Sequence, residues 1–406
     1  MTETPIYLDH QATTPCAPSV VEAMAPYWSA EFGNPHSSNH AFGWRADEAV
    51  TTARQSVAEL IGATTDEVVF TSGATEANNL AILGLLQNEP GAGRNVVVSA
   101  IEHKCVLESV RQLQRLGYAV RLAPVRPSGH VDLYALGNLI DRATDLVSVM
   151  LVNNEIGTIQ PVAEIAALCR SSGAIFHCDA AQAPTAVPID VEALGVDLMS
   201  LSGHKMYGPK GVGVLFVSNV IRHRLRPIIH GGGQESGLRS GTLPTPLCVG
   251  FGEAARVLKE RVSRDAKALL QARQTFLETL LVRVADATVN GEEPCHPAQL
   301  NVRLPGVEAE TIVAKVQPWL AISTGAACSS GIPEPSHVLR AIGLDAYSAG
   351  ECVRIGFGRS SSSTHARQAA ELLADTVAAI RSSSTDSSQI NGSNVEVVCG
   401  YAELRR

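Results

Sequence analysis

No CxxC pair occurs among the nine cysteines of this 406-residue chain. Their scatter fits reduced thiols better than a disulfide framework or a zinc site, so a cysteine with a special role must be found from its context. Long apolar runs are missing as well: stretches such as Leu146 to Val152 are much shorter than the ~20 residues that cross a bilayer. No membrane association is expected. The opening MTETPIYLDH has neither a basic leader nor an apolar signal core, which makes the cytoplasm the expected location. Positive charge is in deficit, with a net charge of −8. Direct nucleic-acid binding, which needs clustered Lys and Arg against phosphates, is therefore not expected. No internal repeat is found.

What is present is ordinary globular material, 45% hydrophobic and 18% charged. Its length suits one large and one smaller unit, since domains usually run ~100–200 residues. Short apolar runs at 68–71, 96–99, 119–123, 146–152, 174–178, 197–201 and 213–217 read as strands. Several are separated by helical periodicity, as at 47–61 before Gly62, 105–116 before Gly117 and 162–172 before Gly173. That is an α/β pattern. Only about ten residues separate the strand ending near Leu201 from the one starting near Gly213, too few for a parallel crossover, so the last strand is expected to run antiparallel.

A long helical region at about 250–285 and shorter strands near 299–303, 320–323 and 352–357 suggest a second domain. The last helix is expected over 365–381, with Thr364 as N-cap and Leu373, Val377 and Ile380 as its apolar stripe. Beyond it, SSSTDSSQINGSN reads as a polar tail that adds nothing to the core. The expected division is a large domain over 15–260, a small one from 1–14 and 261–381, and a tail over 382–406.

Four segments carry candidate chemistry. In SGHKMYGPKG, Lys205 follows a strand among glycines, where a lysine could form a Schiff base; a surface turn with two lysines reads equally well. In HCDAAQ, Asp179 and Gln182 stand at the carboxyl edge of a strand, where open α/β sheets bind ligands, although such an Asp is more often a helix cap. In TSGATEANNLAILGLL a strand turns through Gly73 into a helix near Thr75, a place for a phosphate. His103 ends the strand of SAIEHK, where it could stack on a flat ring or move a proton; an isolated histidine is more often structural.

Together these segments resemble the cysteine desulfurases, in the class V branch of fold-type I pyridoxal phosphate (PLP) enzymes. The resemblance runs from YLDHQATTP through FGNPHSSNHAFG, FTSGATEANN, VNNEIGTIQP, HCDAAQ, SGHKMYGPKG and GGGQESGLRSGT to STGAACSSGIPEPSHVLRAIG and VRIGFGR, essentially residues 5 to 360. It implies a mostly parallel seven-stranded sheet with helices on both faces, plus a smaller α+β domain. It also implies conversion of L-cysteine to L-alanine, with the sulfur carried as a persulfide on Cys328 to an acceptor protein such as an iron–sulfur scaffold.

By the same resemblance Lys205 holds the cofactor covalently, Asp179 pairs with its ring nitrogen, Gln182 bonds its phenolic oxygen, and His103 stacks and does acid–base work. Ala74, Thr75, Ser202 and His204 hold the phosphate, with Thr242 reaching it from the second subunit of a homodimer. Asn154 touches ring or substrate, and Arg354 grips the substrate carboxylate. No metal of its own is implied, only Cys328 turned toward an iron-containing cluster on a partner. Cys169 and Cys178 are expected to be buried structural thiols. A selenocysteine lyase or another class V PLP enzyme fits many of the same motifs. The chain departs from the family pattern at Gln11, often a small residue, at Ser236, usually arginine, and in reading TGAACSSG around Cys328.

Overall fold

The structure, a computed structural model, describes residues 5–89, 91–324 and 335–390, with side chains as far as Ser383. The chain opens with β1 (Ile6–Tyr7), α1 (Pro18–Met24) and α2 (Ala41–Ile61). It then alternates through β2 (Val68–Thr71), α3 (Ala74–Leu86), β3 (Asn95–Ser99), α4 (Lys104–Arg115), β4 (Ala119–Ala123), α5 (Leu133–Leu139) and β5 (Thr144–Ser148). There follow α6 (Val162–Ser172), β6 (Ile175–Asp179), α7 (Val191–Leu194), β7 (Leu198–Ser202) and β8 (Gly213–Val217). The long α8 (Thr245–Arg283) leads to β9 (Thr288–Val289), β10 (Gln299–Arg303), α9 (Ala309–Val316) and β11 (Leu320–Ala321). The last elements are α10 (His337–Ala341), α11 (Ala346–Gly350), β12 (Cys352–Gly356) and α12 (Ser363–Ile390).

The seven strands anticipated from the apolar runs form one sheet in the order β2-β8-β7-β6-β5-β3-β4. All are parallel except β8, which is antiparallel to β7 and β2, as its short connection requires. Strands covered on both faces read as continuous apolar runs because successive residues enter opposite cores. Val97, Val147, Phe176 and Met199 pack on one face, and Val96, Leu146, Ile175 and Leu198 on the other.

A further core gathers Leu8, Phe276, Leu280, Val302, Ile355 and Val377. There β10 lies antiparallel to β12, and β1 runs parallel to β11, which ties the start of the chain to its last third. Helix α8 joins the cores, with Phe251 and Leu258 in the first and Phe276 and Leu280 in the second. Cys169 and Cys178 are buried apolar residues.

Two expectations about α12 fail. The helix continues past 381 to Ile390, so at least this part of the expected tail is helical. Once Ala366, Ala370, Leu373 and Val377 hold the first turns in the core, each added residue gains a hydrogen bond without a new nucleus, and serine's propensity penalty is small. Its start is capped by Ser362, whose Oγ accepts from the His365 N–H at 3.1 Å, and Thr364 falls inside the first turn. Residues 391–406 lie outside the described residues.

Candidate active site

The carboxyl ends of β2, β6 and β7 open on one edge of the sheet. After β2 the backbone turns through Gly73, whose φ of +153° side chains rarely tolerate, and enters α3 at Ala74. The turn rests directly on β8: a Cβ on Gly213 would stand 2.6 Å from the Gly73 Cα. Glu76 braces it by accepting from the Ser72 N–H at 2.8 Å and from Arg239 Nε at 2.8 Å. The first N–H groups of α3, at Ala74 and Thr75, have no partner within the helix, and they carry the positive end of its dipole.

Ser202 ends β7, buried, and His204 and Lys205 follow on a short 3₁₀ turn. His204 Nδ1 lies 3.1 Å from Thr13 Oγ1. Burial first, then the charges of Lys205 and Lys210, lower its pKa to about 4, so the ring is neutral at neutral pH. The Lys205 amine donates to the carbonyls of Gln11 and, at 2.9 Å, of Ala12. Gln182 Nε2 donates to that same Gln11 carbonyl at 3.0 Å, and Gln182 Oε1 accepts from Gln299 Nε2 at 3.1 Å.

Asp179 closes β6 with its carboxylate buried. One oxygen accepts from the Ala181 N–H at 2.9 Å and the other from Asn78 Nδ2 at 2.7 Å. His103 does not end a strand: β3 stops at Ser99, and His103 is the N-cap of α4, its Nδ1 accepting from the Cys105 N–H at 3.2 Å. Burial lowers its pKa, the Asp179 charge partly restores it, and Lys205, His337 and Lys104 push it down again. Asp179 and Lys205 are thus both in electrostatic reach of His103.

Arg354, buried in β12, donates through Nη2 to Asp9 at 2.9 Å and through Nη1 to the Asn154 carbonyl at 3.3 Å. This brings Asn154 and Arg354 together. Thr242 is exposed, and no hydrogen bond among the described residues joins it to the pocket. Cys328 lies outside the described residues. Asn78, Gln11 and Asp9 were not singled out as site residues, and only Gln11 carried a signal, as a departure from the family pattern.

The donor set fits PLP. A helix N-terminus beside a hydroxyl and a neutral imidazole suits a phosphate, a buried carboxylate suits a protonated ring nitrogen, and a lysine amine suits an aldehyde. The Gln11 side-chain amide, buried beside Lys205, has neither its nitrogen nor its oxygen paired among the described residues.

The family model for class-V aminotransferases matches residues 6–368. A cysteine desulfurase IscS of Rickettsia rickettsii (strain Iowa) is 46% identical over 378 residues, covering 93% of this chain and 92% of that protein. Among solved structures, a NifS-like protein superposes with a TM-score of 0.86 at 32% identity, over 92% of this chain and all of the other. A structure described as SspA in complex with cysteine gives a TM-score of 0.77 at 37% identity, over 86% of this chain and 98% of the other.

Proposed function

The chain belongs to the cysteine desulfurases of the class-V aminotransferase family, and on that premise we propose how its residues share the work. It is a PLP-dependent enzyme that converts L-cysteine to L-alanine. When bound, the cofactor supplies an electron sink for the charge left as the substrate's Cα–H bond breaks. Lys205 is the residue that holds it covalently, with Asp179 on its ring nitrogen and Gln182 on its phenolic oxygen. The N–H groups at Ala74 and Thr75, with Ser202 and His204, take the phosphate. The observation that carries this reading is the convergence of Lys205, Asp179 and His103 at the sheet edge beside the α3 N-terminus.

Arg354 takes the substrate carboxylate, because a guanidinium offers two parallel donors to two oxygens. Asn154, whose carbonyl already accepts from Arg354, flanks that place. His103 holds or moves a proton next to the reacting carbon. Cys328 receives the sulfur as a thiolate and carries it to an acceptor protein, of which an iron–sulfur scaffold is the proposed example. The enzyme works as a homodimer in the cytoplasm, with Thr242 completing the phosphate site of the other subunit; the exposure of Thr242 supports this. Among the described residues no helix is long and apolar enough to cross a membrane.

The test is to purify the protein and record its visible absorbance, then supply L-cysteine and L-selenocysteine in turn while following alanine, sulfide and selenide. Cofactor absorbance and alanine from L-cysteine are expected. A colourless protein overturns the PLP reading, and turnover of selenocysteine alone makes the enzyme a lyase for that substrate.

A further inference from the structure

Asp179 and His103 are joined by two side chains that lie between them. Asn78, fully buried in α3, donates from Nδ2 to Asp179 Oδ2 at 2.7 Å, and the same nitrogen is 3.1 Å from Cys105 Sγ. Cys105 Sγ is in turn 3.0 Å from His103 Nδ1. An amide nitrogen carries two hydrogens and only donates, so Asn78 gives one to the carboxylate and one to the sulfur. The sulfur then has its own hydrogen left for an acceptor. Nδ1 is that acceptor, because the Cys105 backbone N–H already points at it, and a hydrogen on Nδ1 would meet a donor head-on.

We propose that Asn78 and Cys105 are positioning residues of this reaction: a relay from Asp179 that keeps Nδ1 of His103 an acceptor, so that the neutral ring presents Nε2 as a hydrogen-bond donor. The proposal rests on the reading of this pocket as the PLP site. The thiol suits the task. Burial, then the Asp179 charge, push Cys105 up to about 12, against smaller lowering by Asn78 and Thr75, so its S–H hydrogen persists through neutral pH. The charged and titratable groups around the relay are Asp179 and Glu102 near the thiol, and Asp179, Lys205, His337 and Lys104 near the ring. Lys205, His337 and Lys104 act on His103 in the direction that favours a neutral imidazole, and Asp179 opposes them.

The test is nitrogen NMR of the full-length enzyme labelled at histidine, with the His103 ring assigned by its loss in His103→Gln and titrated with pH. The expected neutral form carries its proton on Nε2. In Cys105→Ala, where a donor to the neutral ring is removed, the His103 pKa is expected to rise by about half a unit. Cys105→Ser keeps a hydroxyl donor and stays near the parent value. Asn78→Ala, which leaves the sulfur without its donor, shifts the ring signals in the same direction as Cys105→Ala but by less. Alanine suits the first turn of α4, so the Cys105 pair remains decisive even where the Asn78 variant does not fold.

A neutral ring protonated on Nδ1, or a His103 pKa unmoved by Cys105→Ala, overturns the relay. Neither result depends on the cofactor's identity. Absence of cofactor absorbance counts instead against the PLP reading, with the ring titration still readable.

Discussion

Arg354 is tied to Asp9 by a bond of 2.9 Å from Nη2, while its Nε, equally buried, meets no acceptor among the described residues. A guanidinium held by a single carboxylate oxygen keeps donor capacity for a second carboxylate. The same residue exchanges backbone bonds with Ser323, giving at 2.6 Å and accepting at 3.2 Å, so the proposed carboxylate site and the chain that follows β11 share one anchor.

Arg354→Lys retains the charge and loses the planar fork. It is expected to raise KM for L-cysteine by roughly 10- to 100-fold, the equivalent of one charge-assisted hydrogen bond. Cofactor absorbance should stay unchanged. Steady-state kinetics decide the matter, and an unaltered KM removes Arg354 from the substrate site.

Lys205 and Cys328 are assigned different halves of the chemistry and should separate cleanly. Lys205→Ala is expected to lose both turnover and the absorbance of the covalently held cofactor. Cys328→Ser should keep the absorbance and form no persulfide, because attack on sulfur needs a thiol. Mass spectrometry of the protein after L-cysteine reads the added sulfur. Its appearance in Cys328→Ser would point to another acceptor thiol.

Much of this architecture is written in short stretches of the chain. Strands buried on both faces are mostly apolar, so the runs within Asn95–Ser99 or Leu198–Ser202 stand out without knowledge of their neighbours. Asp179 is legible for the same reason, as a polar residue that ends such a run, and Lys205 as one on the turn that directly follows another. Asn78 is not. It sits among apolar residues of α3, and its meaning depends on a carboxylate 101 positions away. Gln11 serves through its backbone carbonyl, to which any residue contributes equally, and its side chain shows only as an unexpected size. The length of α12 was hidden because serine and threonine neither favour nor forbid a helix strongly, and the packing at Leu373 and Val377 decides where it starts but not where it stops.

Glu235 anchors β2, the strand that feeds the turn into α3. Its carboxylate takes both terminal nitrogens of Arg54, at 2.8 and 2.5 Å, and the Phe70 N–H of β2 at 2.7 Å, with its side chain only 2% exposed. Removing one member of a buried pair leaves the other charge stranded. Glu235→Ala is expected to lower stability by about 3 kcal/mol, read from the urea midpoint. A change under about 1 kcal/mol would mean that water or another group replaces the pair.

His177 makes stability depend on acid. It is fully buried in β6, its Nδ1 2.8 Å from Ser148 Oγ and its Nε2 3.1 Å from Ser200 Oγ. Burial lowers its pKa to about 4, with Asp179 opposing only in part. The unfolded chain takes up a proton near pH 6.5, and the folded one resists until about 4. The contribution is therefore complete above pH 6.5 and lost progressively as pH falls toward 4, roughly 3 kcal/mol in all. His296, pulled down by burial to about 3, acts in the same direction. The urea midpoint should fall across this window, and His177→Gln, which cannot titrate but still offers a donor and an acceptor to the two serines, should flatten the slope. An identical slope in the variant would place the acid sensitivity elsewhere.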